Sequence, residues 1–341
     1  MYDTVLVPTD GGDHALRAAE HAGTLARAFD ATVHVLGVVD VQAAGGAFDV
    51  GGVDREFVEH LEERARDRVE TTVGSVRGED TADDGDGLSW EDVEEVNGDA
   101  GAAGAAAADG EVARSGVEWS GTGRIRTAVV RGTRSDAILD YAEEYGADLI
   151  AMGTHGRTGV KRFVSGSVTE RVLRRSPVPV LTARAVERPA NGDGYDDVLV
   201  PVDGSDAAGA AVDHVLAIAG AFDARVHALN VVEVGGLVTD ADTAPSPGVF
   251  NRLESLGDEA TGAVADRARE AGLDVFTEVR EGSSGKAILD SADEQGIDLI
   301  AMGTHGRSGL ERILLGSTTE RIVRRADSPV LAVRPREEVE E

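Results

Sequence analysis

The chain of 341 residues is long enough for two hydrophobic cores, and its 63 acidic against 33 basic side chains give a formal net charge of −30. So acidic a surface repels phosphate backbones and anionic lipid, which argues against nucleic acid and membrane surfaces as general partners. The absence of cysteine excludes disulfides, thiolate catalysis and Cys-based metal sites, and no apolar run reaches the ~18 residues that span a bilayer.

In chain order, residues 4–8 are a short apolar run, read as a first strand. Ala15, Ala18, Ala22, Leu25 and Phe29 follow at helical spacing. A β-branched run at 32–39 predicts a second strand, and Phe57, Leu61, Ala65, Val69 and Val73 predict one face of a second helix. Residues 78–122 are rich in Gly, Ala and Asp, with 13 acidic residues and one Arg. They are expected to be a disordered surface insertion, with a short helix near Trp90–Val96. A strand near 125–131 precedes a helix opened by Ser135 as N-cap. A buried strand at 148–152, a Gly-rich loop, a helix near 167–175 and a strand at 178–182 complete the pattern. Alternating strands and helices predict an α/β fold built on an open, doubly wound parallel sheet.

The pattern occurs twice. DLIAMGTHGR stands unchanged at 148–157 and 298–307, VLVPTDGGDHA at 5–15 returns as VLVPVDGSDAA at 198–208, and GSVTERVLRRSPVPVL at 166–181 returns as GSTTERIVRRADSPVL at 316–331. Asp10 and Asp203 are 193 residues apart but Gly153 and Gly303 only 150, so the first copy carries 43 extra residues. Two tandem domains are expected, at 1–186 and 195–341, joined by a linker at 187–194. Only Lys161 and Lys286 are lysine, the other 31 basic residues being arginine. With 43 Gly and 4% aromatic residues, this composition predicts the cytoplasm of a salt-accumulating halophile, an archaeon by expectation.

In an open parallel sheet, ligands bind beyond the carboxyl ends of the strands. Asp10 and Asp203 end the first strand of each copy. The fourth strand ends at Met152-Gly153 or Met302-Gly303 and enters a loop containing His155 and Gly156, or His305 and Gly306. The loop closes at Gly166-Ser167 or Gly316-Ser317, which open a helix. Glycines admit a close backbone approach, the helix N-terminus attracts phosphate, and a carboxylate suits a ribose diol. Together these describe a nucleotide, with its sugar at strand 1 and its phosphates at the strand-4 loop. A GxxG turn and a Gly-Ser helix start also occur for structural reasons alone; their duplication at equal spacing favours the ligand.

Here the sequence resembles the universal stress protein (UspA) family in tandem form, over everything except insertion and linker. Both copies carry in full the G-x2-G-x9-G-(S/T) pattern of the ATP-binding members. The resemblance implies two five-stranded sheets of strand order 3-2-1-4-5, the fold of the adenine nucleotide alpha hydrolases. It implies Asp10 and Asp203 on ribose, the main chain near Val38 and Val231 on the adenine edge, and Gly153, Gly156, Gly166, Ser167, Gly303, Gly306, Gly316 and Ser317 on phosphates. ATP is the expected ligand, with AMP or ADP as alternatives and Mg2+ accompanying the nucleotide. The first copy departs in having Gly12 where the second has Ser205. The family pairs through its last strands, so VPVL at 178–181 and SPVL at 328–331 are expected to make an internal pseudo-dimer. Further homodimerisation and an unidentified protein partner stay open.

No P-loop, dinucleotide fingerprint or catalytic triad is present, so a non-enzymatic stress regulator is preferred. Slow ATP hydrolysis and an interaction module with vestigial sites are the alternatives. His155 and His305 read as loop residues rather than catalysts, and Arg157, Lys161, Arg162, Arg307 and Arg312 as charge near the site.

Overall fold

The computed structural model describes residues 1–45, 55–78, 115–119, 125–156, 166–185, 194–233, 247–306 and 315–335. The expected helix near Trp90–Val96 lies outside them. The first repeat runs β1 (Thr4–Thr9), α1 (Asp13–Phe29), β2 (Thr32–Val39), α2 (Val41–Gly45), α3 (Arg55–Arg77), β3 (Ser115–Trp119), β4 (Ile125–Arg131), α4 (Arg134–Glu144), β5 (Leu149–Gly153), α5 (Ser167–Arg175) and β6 (Val180–Ala183). The second runs β7 (Asp197–Pro201), α6 (Asp206–Phe222), β8 (Arg225–Val232), α7 (Pro247–Glu270), β9 (Val275–Glu281), α8 (Ser284–Gln295), β10 (Leu299–Gly303), α9 (Ser317–Arg325) and β11 (Val330–Val333). Two compact units result, Met1–Val160 with Gly166–Val172, and a second holding Leu173–Glu341.

In the first unit the strand order is β3-β4-β2-β1-β5. β1 lies parallel to both β2 and β5, and is buried on both faces as its apolar run predicts. One strand was not foreseen. β3 falls inside the acidic insertion and pairs antiparallel with β4, Gly116 opposite Ala128 and Glu118 opposite Arg126. In the second unit the order β11-β10-β7-β8-β9 is the predicted winding, and β9 forms its edge. β6, the last strand of the first repeat, pairs antiparallel with β11, Leu181 opposite Leu331. This is the strand contact expected of VPVL and SPVL, with both strands displaced by two residues, to Val180–Ala183 and Val330–Val333.

The same devices seat the first helix of each repeat. α1 and α6 both end at an aspartate in the left-handed conformation, Asp30 (φ 54°) and Asp223 (φ 56°), whose N–H groups close on Ala26 and Ala219. Tyr2 meets Phe29 edge-on at 5.0 Å, and Tyr195 meets Phe222 at 5.2 Å. Asp148 accepts the N–H groups of Asp3 and Thr4, as Asp298 does those of Asp196 and Asp197, tying the starts of strands 1 and 4 together. Burial, and then the charge of Asp148, push the Tyr2 hydroxyl well above its ordinary pKa.

Two local expectations need correction. Phe57 is 39% exposed: α3 buries only its later turns, at Ala65, Val69, Thr72, Val73 and Val76. Ser135 is not an N-cap. Thr133 holds that position, and Ser135 is buried inside α4, where its Oγ accepts a hydrogen bond from Arg171 at 3.1 Å.

Candidate functional site

β1 and β5 are neighbours in register, Val5 opposite Leu149 and Leu6 opposite Ile150, so Asp10 and Gly153 leave the sheet side by side. β7 and β10 repeat this with Val198 opposite Leu299. Asp10 Oδ1 accepts the N–H of Gly12 at 3.0 Å, and Asp203 Oδ1 that of Ser205 at 3.0 Å. The residue between is glycine with positive φ in both copies, Gly11 at +70° and Gly204 at +80°, which the tight turn requires.

The second carboxylate oxygen faces the strand-4 loop. A Cβ placed on Gly156 would stand 2.9 Å from Asp10 Oδ2, and one on Gly306 would stand 2.8 Å from Asp203 Oδ2. Thus the strand-1 aspartate and the loop glycine line one crevice in each repeat. Gly156 and Gly306 are exposed there, as are Ser167 and Ser317 at the first residues of α5 and α9. Val38 and Val231 are half-buried at the ends of β2 and β8, and the pairing of Thr9 with Gly37 sets Val38 beside Asp10. Met152 and Met302 are each 5% exposed, so their side chains belong to the core and only their backbone borders the crevice.

Gly153 and Gly303 also serve the packing of the first helix. A Cβ at Gly153 would lie 2.7 Å from the carbonyl carbon of His14, and one at Gly303 would lie 2.8 Å from that of Ala207. These glycines let the first helix sit against the end of strand 4. Two threonines in each repeat fasten the loop. Gly166 N–H donates to the Thr154 carbonyl at 2.7 Å and Gly316 N–H to Thr304 at 2.8 Å. Thr169 and Thr319 donate to the carbonyls of Gly153 and Gly303 at 2.8 and 2.9 Å. Their signal was present in the repeat, which has the same threonines at both sites. Arg157, Lys161, Arg162, Arg307 and Arg312 lie outside the described residues.

Both loop histidines are half-buried and held by the preceding threonine, His155 Nδ1 at 3.1 Å from Thr154 Oγ1 and His305 Nδ1 at 2.8 Å from Thr304 Oγ1. The first repeat adds His14, which the sequence reading did not single out. Its Nδ1 lies 3.3 Å from the same Thr154 Oγ1, and its ring centroid lies 5.2 Å from that of His155. Among the described residues, no group of three or more His, Cys, Asp or Glu is placed to hold a metal ion, and no helix is long and apolar enough to cross a membrane.

The model of the universal stress protein family matches residues 1–184 and again 194–334. The chain belongs to the universal stress protein family. Universal stress protein MJ0531 of Methanocaldococcus jannaschii is 40% identical over 149 residues, covering 42% of this chain and 85% of that relative. Universal stress protein Slr1230 of Synechocystis is 24% identical over 337 residues, 97% of this chain and 99% of its own length. The crystal structure of a universal stress protein from Archaeoglobus fulgidus superposes with a TM-score of 0.60 at 20% identity, covering 98% of this chain and 96% of that one. Two universal stress protein domains in one chain therefore account for the repeat and for the shared α/β fold.

Proposed function

We propose that each universal stress protein repeat binds an adenine nucleotide, with ATP as the principal ligand, and that the protein is a non-enzymatic stress-response regulator with two sites per chain. The observation that carries this is the crevice shared by Asp10 with Gly156 and, identically, by Asp203 with Gly306. In this reading the aspartate Oδ2 accepts the ribose hydroxyls, because an ionised carboxylate is purely an acceptor. The phosphates lie along Gly153, Gly156, Gly166 and Ser167, or Gly303, Gly306, Gly316 and Ser317, toward the positive ends of α5 and α9. Adenine lies against the main chain near Val38 or Val231. The reading is supported by the close approach of loop and carboxylate, since a Cβ at Gly156 or Gly306 would take up the space beside the aspartate Oδ2. Mg2+ would arrive with the phosphates.

The acidic surface does not oppose this ligand. A nucleotide held by backbone N–H groups needs no basic patch, whereas a long polyanion does. The same charge supports a home in the cytoplasm of a salt-accumulating halophile, with domains at 1–186 and 195–341 joined by the linker at 187–194.

The deciding experiment is purification in multi-molar KCl, denaturation, and mass spectrometry of released small molecules, followed by ATP titration. Two nucleotides per chain are expected. No nucleotide released and none bound would overturn the reading in favour of an interaction module. His155 and His305 beside the phosphate positions favour slow hydrolysis as a second reading. It predicts multi-turnover ADP release that disappears in the Gly156→Val, Gly306→Val double variant.

A further inference from the structure

The two candidate sites match at Asp10/Asp203, Gly153/Gly303, Thr154/Thr304, His155/His305 and Gly156/Gly306, and differ in the first turn of the helix beside them. Position 14 is histidine and its counterpart, position 207, is alanine. His14 is packed into the crevice wall. Its backbone abuts Gly153, its Nδ1 is 3.3 Å from Thr154 Oγ1, and its ring lies 5.2 Å from His155 at an interplanar angle of 45°. One threonine hydroxyl thus addresses the Nδ1 atoms of two imidazoles and holds the two rings together at the loop.

We propose that His14 and His155 form a paired-imidazole seat for the phosphate chain, which makes the first site selective for the more highly charged nucleotide and tighter in mild acid. This rests on the nucleotide reading above and concerns which nucleotide the first site prefers. Two positive charges on rings whose centroids lie 5.2 Å apart repel each other. An anion between them removes that penalty, so binding draws protons in. Other charged groups around His14 are Asp10 at the end of β1, Asp13 and Arg17 on its own helix, and Arg68 of α3, which packs on Gly11. Asp10 and Asp13 favour the protonated pair, and Arg17, itself ion-paired with Glu20, and Arg68 oppose it. The second site holds His305 against Ala207, and so has one imidazole.

The test is calorimetric titration of the full chain with ATP and with AMP in multi-molar KCl. Buffers of different ionisation enthalpy at pH 6, 7 and 8 give the protons taken up. Wild type is compared with His14→Ala and Ala207→His, which exchange the distinguishing residue. Each imidazole that becomes protonated on binding steepens ATP affinity by up to about tenfold per pH unit. We expect His14→Ala to lower the proton uptake of one of two ATP events and leave the other unchanged, which also shows that the variant is folded. Ala207→His should raise it, and AMP should show a smaller change in both. Equal proton uptake in wild type and His14→Ala, with ATP bound at both sites, would overturn the paired seat alone. Failure of wild type to bind any nucleotide would overturn the nucleotide reading itself.

Discussion

The two repeats keep the same chemistry at the strand ends and differ in the layer behind it. At Asp10/Asp203, Gly156/Gly306 and the Thr154/Thr304 closure, distances agree to within 0.1 Å. One layer back, α1 approaches α3 so closely at Gly23 that a Cβ would stand 2.0 Å from the Val76 carbonyl oxygen, whereas the second repeat has Leu216 at this position. Gly37 of β2 becomes Asn230 of β8, whose amide donates to the Val202 carbonyl at 2.7 Å and whose Oδ1 would stand 2.6 Å from a Cβ on Gly257. His21 is fully buried, whereas His214 is half-buried. Each repeat has thus found its own packing solution under a fixed crevice, as expected when the site is set by backbone and a few side chains while cores tolerate exchange at constant volume.

That contrast can be broken by exchanging residues between the repeats. Gly23→Leu, which copies Leu216, forces a side chain into the Val76 carbonyl and is expected to cost about 3 kcal/mol or more, read from denaturant midpoints in KCl. An unchanged midpoint would show that α1 and α3 can separate freely. Next comes the Asn230–Gly257 pair. Asn230→Gly leaves a buried carbonyl without its donor and costs about 1–3 kcal/mol. Gly257→Ala collides with Asn230, but in the double variant the collision is gone. A double-mutant cycle should therefore be non-additive by about 0.5–3 kcal/mol, and additivity would refute the compensation.

A smaller effect per step comes from His21. Burial, and then the charge of Arg17, lower its pKa to about 3 from the ordinary 6.5. The unfolded chain therefore binds a proton that the folded chain refuses between these values. Its stabilising contribution is complete above pH 6.5 and is lost as pH falls toward 3, with a slope approaching about 1.4 kcal/mol per pH unit. His21→Gln should remove that slope from the pH profile, whereas His214→Gln should change it less. The mildest exchange is at the helix starts. Ser205 Oγ caps α6 by accepting the N–H of Ala208 at 3.3 Å, and α1 begins at Gly12 without a side-chain cap. Gly12→Ser should gain, and Ser205→Gly lose, a few tenths of a kcal/mol.

The parallel sheets were legible because their determinants are local: apolar runs such as residues 4–8 and helical spacing such as Ala15 to Leu25 survive without knowledge of neighbours. The crevice was legible because the repeat presents the same residues twice. What escaped depends on a neighbour distant in sequence. β3, Ser-Gly-Val-Glu-Trp, is a short segment inside a Gly-, Ala- and Asp-rich stretch, and it pairs with the edge of β4. Phe57 follows the helical period faithfully, yet the core ends before reaching it. Ser135 has capping chemistry, but its hydroxyl is claimed by Arg171, 36 residues away. His14 stands only four residues after Asp10, and its meeting with His155 needed the first helix and the strand-4 loop side by side.

The antiparallel pairing of β6 with β11 also sets a timetable for synthesis. Thr182 donates to the Val330 carbonyl, a contact spanning 148 residues of chain. At roughly 5–20 residues per second, β6 waits on the order of 7–30 s for its partner to emerge from the ribosome. Throughout that interval the edge of β6 at Val180-Leu181 lacks the strand it pairs with in the folded protein. That pairing therefore forms late, when almost all of the second repeat has been made.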